Sequence, residues 1–494
     1  MALCKRLIAR LDIKGSRLIK GIRFEGLRVL GDPWEAALLY AQAGVDELLY
    51  IDAVASLFGR NSLSDLLRRT SREVFIPITA GGGVRSVEDA AALLAAGADK
   101  IAVNTAALER PELITELAES FGSQCVVASI QARRTASGFW EAMKEAGRER
   151  TGRDVCDWID YLEKLGAGEL LLTSVDQDGT CSGPDEELIA MVSSKASLPL
   201  VVGGGFAAVD QLVNALQTPN VSAVSLGASL HHRRLDLQMV KAELAPLLKD
   251  IPLRLLPKEN SFGSAFLEEI KDYSLAGFRI GVIDYGMGNQ QSLINALEYL
   301  GAEILLSDEP NELGCSDLLA LPGVGSFPNG MSALRNRGLD TWLCKEWVAS
   351  GKPLLGICLG MQMLFETSQE FGQTLGLGLL SGHVKSLPSQ DINQYPLILP
   401  HLGWNRLLDG PAKPGGRSFQ FSNQYFVHSY VATDVDPADV MFSCKYGHQS
   451  FVAAIRNGVV AGFQFHPERS GLDGLRLLAS ISLELISAVD NKAV

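Results

Sequence analysis

Over its first half the chain alternates short apolar runs with longer amphipathic stretches, the pattern of strands and helices in succession. The apolar runs fall at 7–13, 47–52, 76–80, 100–104, 125–131, 169–175, 198–202 and 223–226. Eight strand–helix units in about 250 residues predict a closed (β/α)8 TIM barrel, since an open doubly wound sheet has fewer strands. Its chemistry belongs at the C-terminal ends of the strands. In the second half the apolar run Pro353-Leu354-Leu355 leads into Gly356-Ile357-Cys358-Leu359-Gly360, and 361–366 reads as a helix. A strand, a tight glycine-flanked turn and a helix make a nucleophile elbow, here with cysteine at the apex.

Small neighbours relieve crowding in the strained turn, and a helix N-terminus favours a thiolate. The Leu359 N–H is expected to be free for an oxyanion. A lone cysteine is most often a buried small hydrophobe. Phe463-Gln464-Phe465-His466-Pro467-Glu468, however, supplies a proton carrier 108 residues after Cys358. His466 is expected at a strand end, with Glu468 orienting the imidazole and stabilising its charged form.

Supporting stretches are Asp284-Tyr285-Gly286-Met287-Gly288-Asn289, Leu321-Pro322-Gly323-Val324-Gly325-Ser326-Phe327, Pro400-His401-Leu402-Gly403-Trp404-Asn405 and Tyr425-Phe426-Val427-His428-Ser429-Tyr430. With them, the segment resembles the class I, triad-type glutamine amidotransferase α/β domain, specifically the glutaminase of imidazole glycerol phosphate synthase. The resemblance implies that Cys358 attacks the side-chain amide of glutamine, making a glutamyl thioester and ammonia. It places Gly323 and Val324 beside the oxyanion and gives Gln362 and Ser429 to substrate binding.

The barrel half contains an echo. Ile78-Thr79-Ala80-Gly81-Gly82-Gly83 with Ala102-Val103-Asn104-Thr105 is similar to Val201-Val202-Gly203-Gly204-Gly205 with Val224-Ser225-Leu226-Gly227-Ala228-Ser229, and the two glycine loops are 122 residues apart. That is half a barrel, so the fold reads as a duplicated half. Glycine loops between strand and helix let backbone N–H groups approach an anion. Two of them, at Gly82 and Gly83 with Asn104 and Thr105 and at Gly204 and Gly205 with Ser229, predict a substrate with a phosphate at each end. Between them, Asp12 at the end of strand one and Asp178 after strand six are the expected acid–base groups. Asp52 and Asp176 are expected to cap helices or tie loops.

Leu11-Asp12-Ile13-Lys14, Leu18-Ile19-Lys20-Gly21, Phe24-Glu25-Gly26-Leu27-Arg28, Gly31-Asp32-Pro33, Gly81-Gly82-Gly83 and 172–179 resemble the cyclase part of the same synthase. That family joins ammonia to a bisphosphorylated phosphoribulosyl-formimino carboxamide ribonucleotide, releasing imidazole glycerol phosphate and aminoimidazole carboxamide ribonucleotide. By the same match Lys20 helps close a first loop over the substrate. The resemblance departs at two points. Where the family has an aspartate at the end of strand five this chain has Gln131, the internal partner of Asp12, and Ala146 falls at an often polar position. An amide hydrogen-bonds but exchanges no proton near neutral pH. Gln131 therefore motivates an alternative, a glutaminase whose barrel delivers ammonia to another acceptor, such as a surface sugar.

Arg6, Glu47, Lys100 and Glu169 stand immediately before strands one, two, four and six. Two cations and two anions there can pair at the barrel bottom, matching the family's ammonia gate. The glutaminase is then expected to dock on the barrel bottom, with Asp99 and Arg469 as an interface pair. The expected organisation is a barrel over 1–253, a linker over 254–277 with a short helix at 265–273, and the amidotransferase over 278–494. In fused forms of this family the glutaminase comes first; here the barrel does.

Composition narrows the partners to small molecules. At 494 residues two full cores are available. Forty-four basic against fifty-seven acidic residues give a net charge of −13, which argues against nucleic acid. No apolar run reaches the roughly 18 residues of a membrane span. With no leader pattern and eight cysteines lacking any paired CxxC spacing, the expectation is a cytoplasmic protein with reduced thiols, no structural metal and no cofactor. His231-His232 reads as a surface pair.

Overall fold

The computed structural model describes residues 3–55, 63–249, 251–255, 273–287, 289–414, 419 and 422–490. The chain divides into two compact units, with the main boundary between Asn260 and Ser261.

In the first unit, strands β1 (Arg6–Lys14), β4 (Glu47–Asp52), β5 (Ile78–Gly81), β6 (Lys100–Val103), β7 (Val126–Arg134), β10 (Glu169–Ser174), β11 (Leu200–Gly203) and β12 (Val221–Leu226) form the barrel wall. Hairpin β2 (Arg17–Ile22) and β3 (Glu25–Gly31) follows β1, and hairpin β8 (Trp140–Lys144) and β9 (Glu149–Asp154) follows β7. Every wall strand pairs in parallel with the next, and β12 returns to β1, closing the ring. Such strands are buried on both faces, which is why they read as continuous apolar runs.

Alternation along β1 turns Arg6, Ile8, Arg10 and Asp12 toward the axis in ascending layers. Above Arg6 lies a buried apolar layer of Ile8, Leu49, Ala102, Val127, Leu171, Val201 and Ala223. The duplication is visible in the backbone. Asn104 sits at φ −126, ψ −81 and Gly227 at φ −122, ψ −86, each just before a short helix.

The second unit is built on a sheet whose parallel part runs in the order Glu303–Ser307, Arg279–Ile283, Leu318–Leu321, Leu354–Ile357 and Val460–Phe463, extended by antiparallel strands Gln449–Asn457, Val440–Tyr446 and Leu408–Asp409. Leu354–Ile357 and Val460–Phe463 are neighbours with Ile357 opposite Phe463, which carries the chain segments holding Cys358 and His466 off the same sheet edge side by side. A core including Phe327, Met331, Trp347, Met361 and Phe365 packs around the elbow.

Strand ends differ from the sequence expectation by at most three residues, with 47–52 as expected at both ends, and both hairpins were unforeseen because they cover the barrel mouth instead of joining its wall. The helix expected over 361–366 is Leu359–Met363. It stops because Leu377, Leu379, Gly378 and Gly376 donate their N–H groups to the carbonyls of Met363, Leu364, Phe365 and Glu366 at 2.8–3.1 Å. Most of the expected linker, and its helix at 265–273 apart from Tyr273, lies outside the described residues. Arg254 is tied into the barrel, its Nε 2.8 Å from Asp46 Oδ1. No helix among the described residues is long and apolar enough to cross a membrane.

Candidate active site

At the barrel mouth Lys20, delivered by β2, lies between two carboxylates: its Nζ is 2.6 Å from Asp12 Oδ2 and 3.0 Å from both oxygens of Asp178. Arg10 completes the group, donating from Nε to Asp12 Oδ1 at 2.8 Å and from Nη1 to Thr173 Oγ1 at 3.1 Å, with its guanidinium 5.4 Å from the Phe24 ring centre. Burial alone would raise the Asp12 pKa, but Arg10 and Lys20 outweigh it and hold the carboxyl well below the usual range. The Lys20 ammonium is raised despite burial, because Asp12 and Asp178 stabilise its charge. In this arrangement Asp12 is a poor proton acceptor.

Two cavities flank this cluster. One of about 300 Å³ is lined by Gly82, Gly83, Asn104, Thr105, Gln131 and Arg10, among others. The other, of about 20 Å³, is lined by Gly204, Gly205, Ser225, Ser229, Asp178 and Arg10. Gly82 and Gly204 sit at φ +98 and +105 close over the carbonyls of Asp52 and Ser174, where a Cβ would come within 2.3 and 2.9 Å. Asp52 Oδ1 accepts from Val54 N–H at 3.1 Å and Asp176 Oδ2 from Arg134 N–H at 2.9 Å, so both tie loops. His231 departs from its expected surface place. His232 is exposed, but half-buried His231 holds Tyr40 Oη at 2.7 Å, and burial, then Lys20, lower its pKa to about 4.

At the opposite end of the strands Arg6, Glu47, Lys100 and Glu169 form a closed ring of four ion pairs. Arg6 reaches Glu47 at 2.8 Å and Glu169 at 2.6 Å, and Lys100 reaches the same two at 2.9 and 2.7 Å. All four are fully buried. Burial would raise the Glu169 pKa, yet the two cations lower it.

In the second unit Cys358 occupies φ 55, ψ −108, a conformation a non-glycine residue adopts only when its surroundings force it. The elbow's small neighbours are obligatory: a Cβ on Gly360 would lie 1.8 Å from Leu321 O, and one on Gly356 2.7 Å from Gly360. His466 Nδ1 is 2.7 Å from Glu468 Oε1. Burial alone would lower the His466 pKa, but Glu468 and the Cys358 sulfur raise it well above the ordinary imidazole value. The charged imidazolium is therefore the favoured partner of the sulfur. Gln362 donates from Nε2 to Tyr430 O and to Gln464 Oε1, both at 3.0 Å, and Gln464 Nε2 lies 3.8 Å from Cys358 Sγ. Substituting Glu468→Gln keeps the shape and removes the charge; glutamine hydrolysis is expected to fall about 100- to 10,000-fold, read as kcat for glutamate release.

Two expectations about the elbow need correction. The Leu359 N–H is not free: it points to the Gly323 carbonyl at 3.4 Å, so oxyanion binding requires that carbonyl to turn away. A helix of five residues also contributes little dipole. Ser429 has its carbonyl engaged by Leu387 N–H at 2.8 Å, while its neighbour Tyr430 holds Gln362.

Residues 6–236 match the family model described as "Histidine biosynthesis protein", and 281–480 match "Glutamine amidotransferase class-I". The barrel is 58% identical over 206 residues to the imidazole glycerol phosphate synthase subunit HisF of Legionella pneumophila, covering 97% of that subunit and 42% of this chain. The chain belongs to the imidazole glycerol phosphate synthase family. HisF of Mycobacteroides abscessus is 46% identical over 252 residues, with 97% of it and 50% of this chain covered, and that of Thermobifida fusca is 45% identical over 259 residues, with 100% and 51% covered. The chain thus joins a HisF-like cyclase barrel to a class I amidotransferase domain, barrel first.

The cyclase barrel brings Asp12, Asp178 and Lys20 into one cluster, and Arg10 was missed there. Its signal was available, since a residue two before Asp12 on a strand shares its face. In the amidotransferase domain Gln464 was missed; it lies just past the strand Val460–Phe463, where strand alternation gives no signal. Among the described residues no group of three or more His, Cys, Asp or Glu could hold a metal.

Proposed function

We infer that the protein is a bifunctional, glutamine-dependent imidazole glycerol phosphate synthase of histidine biosynthesis, working in the cytoplasm. The observation that carries this reading is the presence in one chain of a Cys358–His466–Glu468 elbow and a barrel mouth with two glycine cradles flanking Asp12 and Asp178.

On glutamine, the Cys358 thiolate attacks the amide carbon, and His466 gives its proton to the departing ammonia. The oxyanion is held once the Gly323 carbonyl turns and uncovers the Leu359 N–H, with Val324 alongside. Water then hydrolyses the glutamyl thioester with His466 as base. The amidotransferase domain docks on the barrel bottom, Asp99 and Arg469 facing each other. Ammonia passes through a momentary opening of the Arg6–Glu47–Lys100–Glu169 ring and along the apolar layer above it, which keeps it neutral.

In the mouth the ends of the bisphosphorylated ribonucleotide bind at the cradles of Gly82, Gly83, Asn104 and Thr105 and of Gly204, Gly205 and Ser229. Its phosphates compete with Asp12 and Asp178 for Arg10 and Lys20, which frees Asp12 to move protons. Ammonia adds to the carbonyl of the phosphoribulosyl arm, and the products are imidazole glycerol phosphate and aminoimidazole carboxamide ribonucleotide.

The purified chain given glutamine and the bisphosphate substrate is expected to form both products, followed by chromatography. Glutamine hydrolysis without either product, at high enzyme, would overturn the reading.

A further inference from the structure

We propose that Glu145 is a proton-transferring catalytic residue of the barrel, supplying the carboxylate that Gln131 lacks. The inference rests on the cyclase reading above.

The register of the barrel wall makes Gln131 the counterpart of Asp12. Glu47 pairs with Ile8 on β1, and its half-barrel equivalent Glu169 pairs with Val127 on β7, so Asp12 and Gln131, each four residues further along, stand at equivalent places. Gln131 is only 8% exposed, and its Oε1 has no hydrogen-bond partner among the described residues. It opens into the cavity of about 300 Å³ that holds the first glycine cradle.

Three carboxylates line that cavity. Asp52 caps the turn at Val54, and Glu109 Oε1 is paired with Lys144 at 2.8 Å. Glu145 is different: its Oε2 is buried without a hydrogen-bond partner among the described residues. The two carboxylates on the other side of the mouth, Asp12 and Asp178, share Lys20.

Glu145 is held in place by its backbone. It sits at φ 51 and Ala146 at φ 54, successive left-handed conformations in the tip of the β8–β9 hairpin. Its N–H donates to Thr105 Oγ1 at 3.1 Å, and Asn104 Nδ2 donates to Met143 O at 3.1 Å, strapping the hairpin to the cradle.

The chemistry needs such a group. When ammonia adds to the ketone carbon of the phosphoribulosyl arm, a C–N bond forms and the carbonyl π pair goes to oxygen. Conversion to the imine moves two protons from nitrogen to oxygen. The C–O bond then breaks, water leaves, and the nitrogen lone pair makes C=N. A carboxylate beside the carbon takes each proton from nitrogen and returns it to oxygen, ending unchanged. Gln131 cannot do this, but its unpaired Oε1 can accept a hydrogen bond from the attacking nitrogen.

The test uses the full chain, ammonium chloride and the bisphosphate substrate. Glu145→Gln is expected to lower kcat for imidazole glycerol phosphate formation about 100-fold or more, with KM for the bisphosphate changed by less than about threefold. Adding Gln131→Asp to that variant is expected to restore at least tenfold, a recovery that repair of a folding defect would not give. A Glu145→Gln enzyme within threefold of wild type, a loss confined to KM, or a double variant no faster than the single one would each overturn the assignment. A wild-type chain that forms no product from ammonium salts would instead overturn the cyclase reading itself.

Discussion

Replacing Cys358 with alanine is expected to lower glutamine hydrolysis by about 10⁴-fold or more, the scale on which enzymes lose rate when a nucleophile or its partner is removed. The strained backbone at φ 55 and the packed glycines around it have no other evident purpose than to hold this sulfur against His466. Alanine fits the same turn with fewer atoms, so the domain should keep its fold. Cyclisation fed by ammonium salts should continue, since the mouth cluster of Asp12, Lys20 and Asp178 belongs to the barrel. Glutamate release and product formation from ammonium, assayed on the same preparation, check both halves of the statement. Loss of both activities in a folded variant would show that the division of labour is wrong.

The second large effect is expected from Lys100→Met. In the ring each carboxylate touches both cations, and none of the four groups is reached by solvent. Methionine leaves Glu47 and Glu169 facing one guanidinium. Breaking a buried ion network by removing one partner costs about 3–5 kcal/mol, because an uncompensated charge stays in the interior. The barrel's urea midpoint should fall accordingly. Adding Glu169→Leu removes the surplus charge, and most of the lost stability should return, since replacing a whole buried pair by apolar groups is often neutral. A single variant as stable as wild type would mean that the ring relaxes or takes up water more easily than its geometry suggests.

These effects were partly legible in the chain. The barrel could be read because parallel wall strands are apolar on both faces, and the ring because Arg6, Glu47, Lys100 and Glu169 each open a strand. The hairpins β2–β3 and β8–β9 could not, since their residues alternate weakly and pack over a mouth that exists only once the barrel is closed. Arg10 lay within reach of the period-two rule beside the neighbouring acid, whereas Gln464 lies past the strand Val460–Phe463, where that rule does not hold. The blocked Leu359 N–H is of another kind: the direction of the Gly323 carbonyl is a backbone choice that no side chain announces. Glu145 shows the same limit, because its oxygen, unpartnered among the described residues, follows from a hairpin register and two left-handed residues rather than from a motif.

The nitrogen released at Cys358 is proposed to reach the barrel mouth without mixing with solvent. Glutamine labelled with ¹⁵N in its amide, supplied with the bisphosphate substrate in a large excess of unlabelled ammonium salt at neutral pH, tests this directly by mass spectrometry of imidazole glycerol phosphate. The label should appear in the product nearly undiluted. Product whose ¹⁵N content matches that of the bulk ammonium would mean that ammonia escapes before it is used, and the proposed passage through the ring would have to be given up.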